Sequence, residues 1–264
     1  MPLTVHPSCR AAGASASAWG RSHALACLIG VLWCGGARAE DWYTAPSRVV
    51  PSNAWLVVVD VSGTATSNQS DFVYGAATFA LGGIIQQSGF RLKLEGLGGS
   101  YGYDETSNSG TTQGRQYEGG ALLGYQQVWN NATIGYYAGV NVRENTIPAV
   151  DPLNTALGTR VGFKAALDAY MRPTELTMLS AYGSYSTAYD SYYARFRAGY
   201  SLGVGYLGPE VALLGDDYYG QTRFGAHLSS VQLGALQFGV SGGYVVDRAY
   251  KDGYYGTLEM RAGF

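Results

Sequence analysis

Short segments in which apolar side chains alternate with small or polar ones recur throughout residues 54–264, and they restrict the fold more than any other feature. Within residues 132–143, apolar side chains occupy every second position from Ile134 to Val142. Alternation with a period of two indicates a β-strand whose two faces meet different surroundings. No apolar run approaches the roughly 18 residues of a membrane-crossing helix, so the chain is predicted to be all-β.

Twelve alternating segments are predicted. The connections after even-numbered segments are short, whereas those after odd-numbered segments tend to be longer and polar. This asymmetry is typical of outer-membrane β-barrels. We therefore predict a transmembrane antiparallel β-barrel of about 12 strands over residues 54–264, in the outer membrane of a Gram-negative bacterium. The predicted strands are about 54–62, 71–81, 89–103, 115–129, 132–146, 157–171, 175–188, 192–204, 205–214, 221–231, 235–247 and 254–264.

The N-terminal residues have the features of an export signal. Basic residues precede the apolar stretch Ala24–Gly36, and Ala37-Arg38-Ala39 offers the small residues that a signal peptidase reads. We predict a cleaved signal peptide over residues 1–39 and a periplasmic N-terminal segment over residues 40–53. An uncleaved anchor helix is the alternative, but the apolar stretch is shorter than the roughly 20 residues that such a helix needs.

Glycine and tyrosine are abundant and charge is scarce, with 38 Gly, 22 Tyr and 14% charged residues. A closed sheet in lipid accounts for this composition. Glycine on the inner face leaves room in a narrow lumen, and tyrosine on the outer face forms aromatic girdles at the two membrane surfaces. A soluble periplasmic barrel or sandwich is the alternative, and it would fill its apolar face with bulky aliphatic side chains. The predicted girdle residues are Tyr74, Trp129, Tyr136, Tyr192 and Tyr254.

Beyond residue 39 the chain is acidic and contains no cysteine. Its 14 Lys and Arg residues against 19 Asp and Glu residues argue against nucleic acid as a partner. His227 is the only histidine there, which excludes zinc sites with several His ligands, and we predict no metal and no cofactor. Acidic residues such as Asp216 and Asp217 lie in predicted outer loops. One interpretation is that they are solvated residues at loop tips, and the other is that they bind divalent ions or surface glycans.

Charged side chains opposite the apolar faces are predicted to line the lumen. One interpretation is a selective pore or glycan path in which tyrosine rings stack on sugars. The other is an ion-pair network that fills a narrow barrel. The basic candidates are Arg91, Lys93, Arg143, Arg160, Lys164, Arg195, Arg197, Arg223 and Arg261. The acidic candidates are Glu95, Glu118, Asp168, Glu210 and Glu259. The stacking candidates are Tyr101, Tyr103 and Tyr137.

His227 and Ser229 are two residues apart and would share one face of a strand. Outer-membrane lipid esterases use such a pair, in which the histidine activates the serine as a nucleophile. In this strand Phe224 and Leu228 lie on the apolar outer face. His227 and Ser229 are therefore predicted to lie inside the barrel as part of a polar network. In addition, Ser241 stands where those enzymes have an acid or an amide.

The last predicted strand ends on an aromatic residue. Apolar and small side chains alternate with polar ones from residue 254 to residue 264. A terminal aromatic residue that closes an amphipathic strand resembles the signal recognised by the barrel assembly machinery of the outer membrane. The residues predicted to carry this signal are Tyr254, Leu258, Met260 and Phe264.

Several stretches of the chain form a pattern that extends over most of residues 55–264. The most distinctive stretch is Ser184-Tyr-Ser-Thr-Ala-Tyr-Asp-Ser-Tyr-Tyr-Ala-Arg-Phe-Arg-Ala-Gly-Tyr200, followed by Gly208-Pro-Glu210. The others are Gly120-Ala-Leu-Leu-Gly-Tyr-Gln-Gln-Val128, Asp151-Pro-Leu-Asn154 and Val161-Gly-Phe-Lys164. Together they resemble the cellulose biosynthesis protein BcsS family, which consists of exported proteins from cellulose-producing Gram-negative bacteria.

The resemblance implies participation in bacterial cellulose production at the outer membrane, and it implies no catalytic residue. We therefore predict a non-enzymatic barrel that assists the export of cellulose or its anchoring at the cell surface. The expected partners are outer-membrane lipid, the barrel assembly machinery, glucan chains and other components of cellulose synthesis. A general small-solute channel is the alternative function, and a lipid esterase that uses His227 and Ser229 is a weaker one.

Overall fold

The computed structural model describes the chain from residue 54 to its last residue, with four gaps in loops. The predicted signal peptide and periplasmic segment lie outside the described part. The described residues contain no helix with the length and hydropathy needed to cross a bilayer. The described ranges are 54–104, 111–148, 154, 156–248 and 250–264.

Twelve antiparallel strands form one closed barrel, as predicted. Each strand pairs with its neighbours in sequence, and β1 closes the barrel by pairing with β12. Closure gives every strand two hydrogen-bonded neighbours and leaves no free sheet edge. The strands are β1 Val57–Thr66, β2 Asp71–Leu81, β3 Gly89–Asp104, β4 Thr111–Val128, β5 Ala132–Thr146, β6 Gly158–Thr174, β7 Thr177–Ser186, β8 Ser191–Ser201, β9 Tyr206–Gly215, β10 Gly220–Leu233, β11 Leu236–Asp247 and β12 Gly253–Gly263.

The bounds of β1 differ most from the prediction, which ended the strand at residue 62. The polar stretch after Gly63 resembles a loop in sequence, but Thr64 pairs with Thr257 of β12 and Thr66 pairs with Tyr255. The hydroxyls of Thr64 and Thr257 are 2.9 Å apart. The strand therefore continues because barrel closure supplies a partner strand, which residues of β1 alone could not reveal.

The two ends of the barrel differ in their connections. We call the end that carries the strand termini Val57 and Gly263 the turn end, and the opposite end the loop end. Gly203 and Gly234 have positive φ and allow tight reversals at the turn end. The longest connection at the turn end is formed by residues 82–88. It is longer than several of the connections at the loop end.

The outer face of the barrel is apolar. Val161, Phe163 and Leu123 are 73%, 56% and 63% exposed, which is costly in water and typical of a barrel wall that faces hydrocarbon. Outward-facing aromatic residues form one group towards each end. The turn-end group consists of Phe90, Tyr125, Trp129, Tyr136, Tyr200 and Phe264. The loop-end group consists of Tyr117, Tyr185, Tyr192, Tyr244 and Tyr254.

Four of the five predicted girdle residues belong to these two groups, and Tyr74 does not. Its side chain points inward, where its hydroxyl donates a hydrogen bond of 3.0 Å to Glu95 Oε2. The prediction for Tyr74 was wrong because Phe72, Tyr74 and Ala76 form the inner face of β2, although their side chains are as apolar as those of the outer face.

Candidate functional site

The inner face of the barrel surrounds a central cavity of about 340 Å³. Most of the charged side chains predicted for the lumen line this cavity, because they occupy the alternate positions of their strands whose side chains point inward. Seven basic side chains line the cavity: Lys93, Arg143, Lys164, Arg195, Arg197, Arg223 and Arg261. Five carboxylates line it as well: Asp60, Glu95, Glu118, Asp168 and Glu259.

One group of charges lies on strands β3 to β6, and we call it the lysine cluster. It consists of Lys93, Glu95, Glu118 and Lys164. Lys164 Nζ lies 2.5 Å from Glu95 Oε1 and 2.7 Å from Glu118 Oε1, and Lys93 Nζ lies 3.8 Å from Glu95 Oε2. Each carboxylate therefore has a cation beside it, which offsets the cost of removing both charges from water.

Arg143 joins the lysine cluster to the loop end. Its guanidinium donates to Asp216 Oδ2 at 2.6 Å and to Gln116 Oε1 at 2.8 Å. The backbone N–H groups of Tyr218 and Tyr219 donate to the other oxygen of Asp216, at 2.9 and 2.8 Å. The interpretation of Asp216 as a solvated loop tip was wrong, because the loop folds inward and places this carboxylate against a lumen arginine.

A second group of charges lies on β8, β9 and β12, and we call it the arginine cluster. It consists of Arg195, Arg197, Glu210 and Glu259. Arg197 Nη1 donates to Glu259 Oε2 at 2.5 Å, and its Nε donates to Glu210. Arg195 donates to the other oxygen of Glu259. The hydroxyl of Tyr255 donates to Glu210 Oε1 at 2.9 Å, so this cluster also fixes an aromatic ring of β12.

Tyrosine rings on the inner wall lie over glycines of a neighbouring strand or of the strand beyond it. A Cβ atom added to Gly225 would lie 2.4 Å from the hydroxyl oxygen of Tyr255, and one added to Gly124 would lie 2.5 Å from the ring of Tyr137. Tyr101 lies over Gly114 in the same way. The shared abundance of glycine and tyrosine thus has a packing cause, since a ring needs a position without a side chain to lie against the wall.

Tyr101 and Tyr137 are buried on the inner side of the barrel, with exposures of 5% and 8%. Neither ring lines the central cavity, whereas Tyr182 and Tyr193 do. The side chain of Tyr103 lies outside the described part of the chain. Neither residue was among the stacking candidates. Tyr182 lies in the seventh predicted strand, where alternation is weak, whereas Tyr193 lies in the eighth, on the face that also holds Arg195 and Arg197.

Arg91 was predicted for the lumen, but its side chain does not line the central cavity and instead holds a connection in place. Its guanidinium donates to the backbone carbonyls of Ile84, Ile85 and Gln87, and its Nε donates to Gln126 at 2.9 Å. These bonds hold residues 82–88 inward, with Ile85 only 7% exposed. Arg91 therefore anchors the long connection at the turn end, where a smaller cavity of about 50 Å³ lies beside Ile85.

Arg160 was also predicted for the lumen, and the structure places it elsewhere. It is exposed near the loop-end start of β6, where its guanidinium lies 4.5 Å from the centroid of the Tyr189 ring. Alternation predicted the correct face of the strand. It carries no information on the position along the barrel axis, and Arg160 lies closer to the loop end than the central cavity does.

His227 and Ser229 lie inside the barrel and in contact. His227 Nδ1 is 3.1 Å from Ser229 Oγ, and His227 Nε2 is 3.2 Å from the carbonyl oxygen of Ala198. His227 is 1% exposed, so the ring has no access to lipid at the outer face. Ser241 is the cross-strand partner of His227 and offers no carboxylate to orient the ring.

The loop end is tied together by polar contacts between distant connections. The Tyr219 hydroxyl lies 3.1 Å from Ser70 Oγ, and the rings of Tyr101 and Tyr219 are 5.4 Å apart. Burial, followed by the charge of Asp247, raises the pKa of Tyr219 well above its usual range. The hydroxyl thus stays neutral and can remain bonded to Ser70 across the physiological pH range.

Among the described residues, no group of three or more His, Cys, Asp or Glu side chains could hold a metal ion. The charges around the central cavity are balanced. Glu210 and Asp216, which bind Arg197 and Arg143, bring the carboxylates in and around the lining to seven, against seven basic side chains.

A solved outer membrane channel from Pseudomonas putida F1 agrees with this architecture. It is similar with a TM-score of 0.51 and 16% identity, over 85% of this chain and 99% of that chain. At this identity the likeness concerns the fold alone. The KdgM porin is also similar, with a TM-score of 0.42 and 9% identity, over 78% and 99% of the two chains.

No curated protein matches the chain. The model of the cellulose biosynthesis protein BcsS family matches residues 61–264, which include all of β2 to β12 and most of β1. This match confirms the resemblance found in the sequence. The chain therefore belongs to the cellulose biosynthesis protein BcsS family.

Proposed function

We propose that this protein is a non-enzymatic outer-membrane β-barrel that takes part in cellulose biosynthesis, in the export of the polymer or in its anchoring at the cell surface. The observation that carries the proposal is the family match over residues 61–264, because it covers the barrel itself and not an accessory segment. The glucan and the other components of cellulose synthesis are its proposed partners.

The outer surface supports the proposed location. Aliphatic side chains occupy the middle of the outward-facing wall, and aromatic residues lie towards both ends. Along β4, Tyr117 and Tyr125 are eight residues apart, which corresponds to about 27 Å along a strand. With a strand tilt of about 40°, the height is about 20 Å, close to the apolar band of known outer-membrane barrels.

Delivery to that membrane would use both ends of the chain. Residues 1–39 would direct export and be removed, and residues 40–53 would remain in the periplasm. The assembly machinery would recognise β12 and the residue after it, since Tyr254 of β12 and the adjoining Phe264 are each 69% exposed on the outer face. Replacement of Phe264 with Ser should lower the amount of barrel in the outer membrane, measured by membrane fractionation, without changing the amount synthesised.

Deletion of the gene tests the proposed function. If the barrel exports cellulose, deletion should lower the amount of cellulose outside the cell, while polymer persists in the periplasm or at the inner membrane. Anchoring predicts that total cellulose is maintained but moves from the cells to the medium. Glucose released by cellulase from washed cells, medium and periplasm distinguishes these outcomes. Unchanged amounts in all three fractions would contradict the proposal.

A general small-solute channel is a second candidate, favoured by the polar cavity at the centre of the barrel. In that case the inward connection at the turn end would limit the current. Arg91→Ala releases the carbonyls of Ile84 and Ile85 and should raise the single-channel conductance of refolded protein in planar bilayers. A barrel with no conductance, with or without Arg91, would exclude this candidate.

A further inference from the structure

We propose that the central cavity binds a short segment of neutral β-glucan, with the Tyr182 ring as the stacking surface and Asp168 and Arg195 as polar groups at its edges. This inference rests on the proposed function and adds to it the position in the barrel at which the glucan would bind.

Strand register places these three residues side by side. Tyr182 of β7 pairs with Asp168 of β6 on one side and with Arg195 of β8 on the other. All three line the central cavity. A sugar ring presents C–H groups on its face and hydroxyls around its edge, so an aromatic ring between a hydrogen-bond acceptor and a donor matches both features.

The Tyr182 ring is held in a defined orientation. The Lys93 ammonium lies 4.9 Å from its centroid, and the Tyr193 ring lies 5.8 Å away with an interplanar angle of 55°. A ring fixed by its neighbours loses little conformational freedom when a ligand stacks on it, which favours binding.

The cavity wall has unused hydrogen-bonding capacity. The Asp168 carboxylate is half-buried and lines both cavities, where it can accept hydrogen bonds from a ligand. Nη2 of Arg197 is buried and lacks a hydrogen-bond partner within the described part of the chain. A buried donor without a partner is costly, and a hydroxyl of a bound sugar could accept from Arg197 while another donates to Asp168.

Charge and size favour a neutral ligand over an ionic one. Six of the seven basic side chains of the lining already form ion pairs with carboxylates, and Arg223 is the exception among the described ion pairs. Few charges of the wall are therefore left for an ionic ligand. Its volume of about 340 Å³ falls within the range of small-molecule sites.

Calorimetric titration of the refolded full-length barrel with cellopentaose tests the inference, with oligogalacturonate of equal length as the anionic comparison. We expect saturable binding of cellopentaose and weaker binding of the anionic oligomer. Tyr182→Leu should lower the affinity for cellopentaose by about tenfold or more. Asp168→Asn, which keeps the shape of the side chain, should lower it by about threefold to tenfold.

Tyr200→Leu is the matched control, because Tyr200 is 54% exposed on the outer face. Its affinity should equal that of the wild type, and the change in gel mobility on boiling should show that all variants form barrels. Absence of cellopentaose binding, tighter binding of oligogalacturonate, or an unchanged affinity in folded Tyr182→Leu would overturn the inference.

The inference and the proposed function fail separately. If deletion alters cellulose but the barrel does not bind cellopentaose, the cavity is not the glucan site and the proposed function stands. If the barrel binds cellopentaose but deletion leaves cellulose amount and location unchanged, the proposed function fails.

Discussion

Tyrosine occupies both faces of this barrel, and its role differs between them. On the outer face, Tyr136 and Tyr200 are 50% and 54% exposed, in groups towards the strand ends. On the inner face, Tyr74 and Tyr255 donate hydrogen bonds to the carboxylates of Glu95 and Glu210. The face of the strand on which a tyrosine lies, and not the residue type, therefore decides whether its ring contacts the surroundings or organises the lumen.

The largest expected effect concerns the lysine cluster of the inner face. Lys164→Met leaves Glu95 and Glu118 with fewer cations in a buried environment, so the free energy of unfolding should fall by about 3 to 5 kcal/mol. Urea unfolding of the barrel in lipid vesicles measures this change. Lys251→Met is the control, because Lys251 is exposed in a loop-end connection, and its stability should not change. Equal stability of both variants would show that the inner ion pairs do not stabilise the barrel.

A charge placed on the outer face tests the other side of the comparison. Val140 lies near the middle of β5 and is 57% exposed, so Val140→Arg should lower the free energy of unfolding in vesicles by about 2 to 4 kcal/mol. Thr146→Arg, at the loop end of the same strand and face, should cost less than about 1 kcal/mol. If both variants lost the same amount, the outer face would not contact hydrocarbon.

The glycine positions under the rings predict a smaller effect. In Gly225→Ala, the added Cβ would collide with the Tyr255 hydroxyl and with the backbone oxygen of Gly242. The overpacking should cost about 1 to 3 kcal/mol of unfolding free energy. Gly256→Ala meets no atom within 4 Å and should be neutral in the same urea titration. A neutral Gly225→Ala would contradict the packing explanation for the glycine content.

The smallest expected difference separates two hydroxyl deletions. Tyr255→Phe removes the donor to Glu210 and should lower the free energy of unfolding by about 1.5 kcal/mol. Tyr200→Phe changes an exposed outer ring and should stay within about 0.5 kcal/mol of the wild type. Similar values for the two variants in urea unfolding would mean that the inner hydroxyl contributes no more than the outer one.

The strand number and the barrel could be predicted from alternation together with the asymmetry of the connections. The orientation of most lumen charges followed from alternation, because which face a side chain occupies is a local property of a strand. The position of Asp216 could not, since its partner Arg143 is 73 residues away and belongs to a different strand. Arg91 and Arg160 show the same limit: both have the expected parity, but height along the barrel decides which contacts they make.

The comparison of faces leads to one claim, that the lumen face carries the function in cellulose production. The most direct test is cell-associated and secreted cellulose in strains whose genomic copy encodes Tyr182→Leu or Tyr200→Leu, at equal barrel abundance in the outer membrane. We predict that the amount or location of cellulose in the Tyr182→Leu strain approaches that in the deletion strain and that the Tyr200→Leu strain matches the wild type. Wild-type cellulose in the Tyr182→Leu strain would contradict the claim.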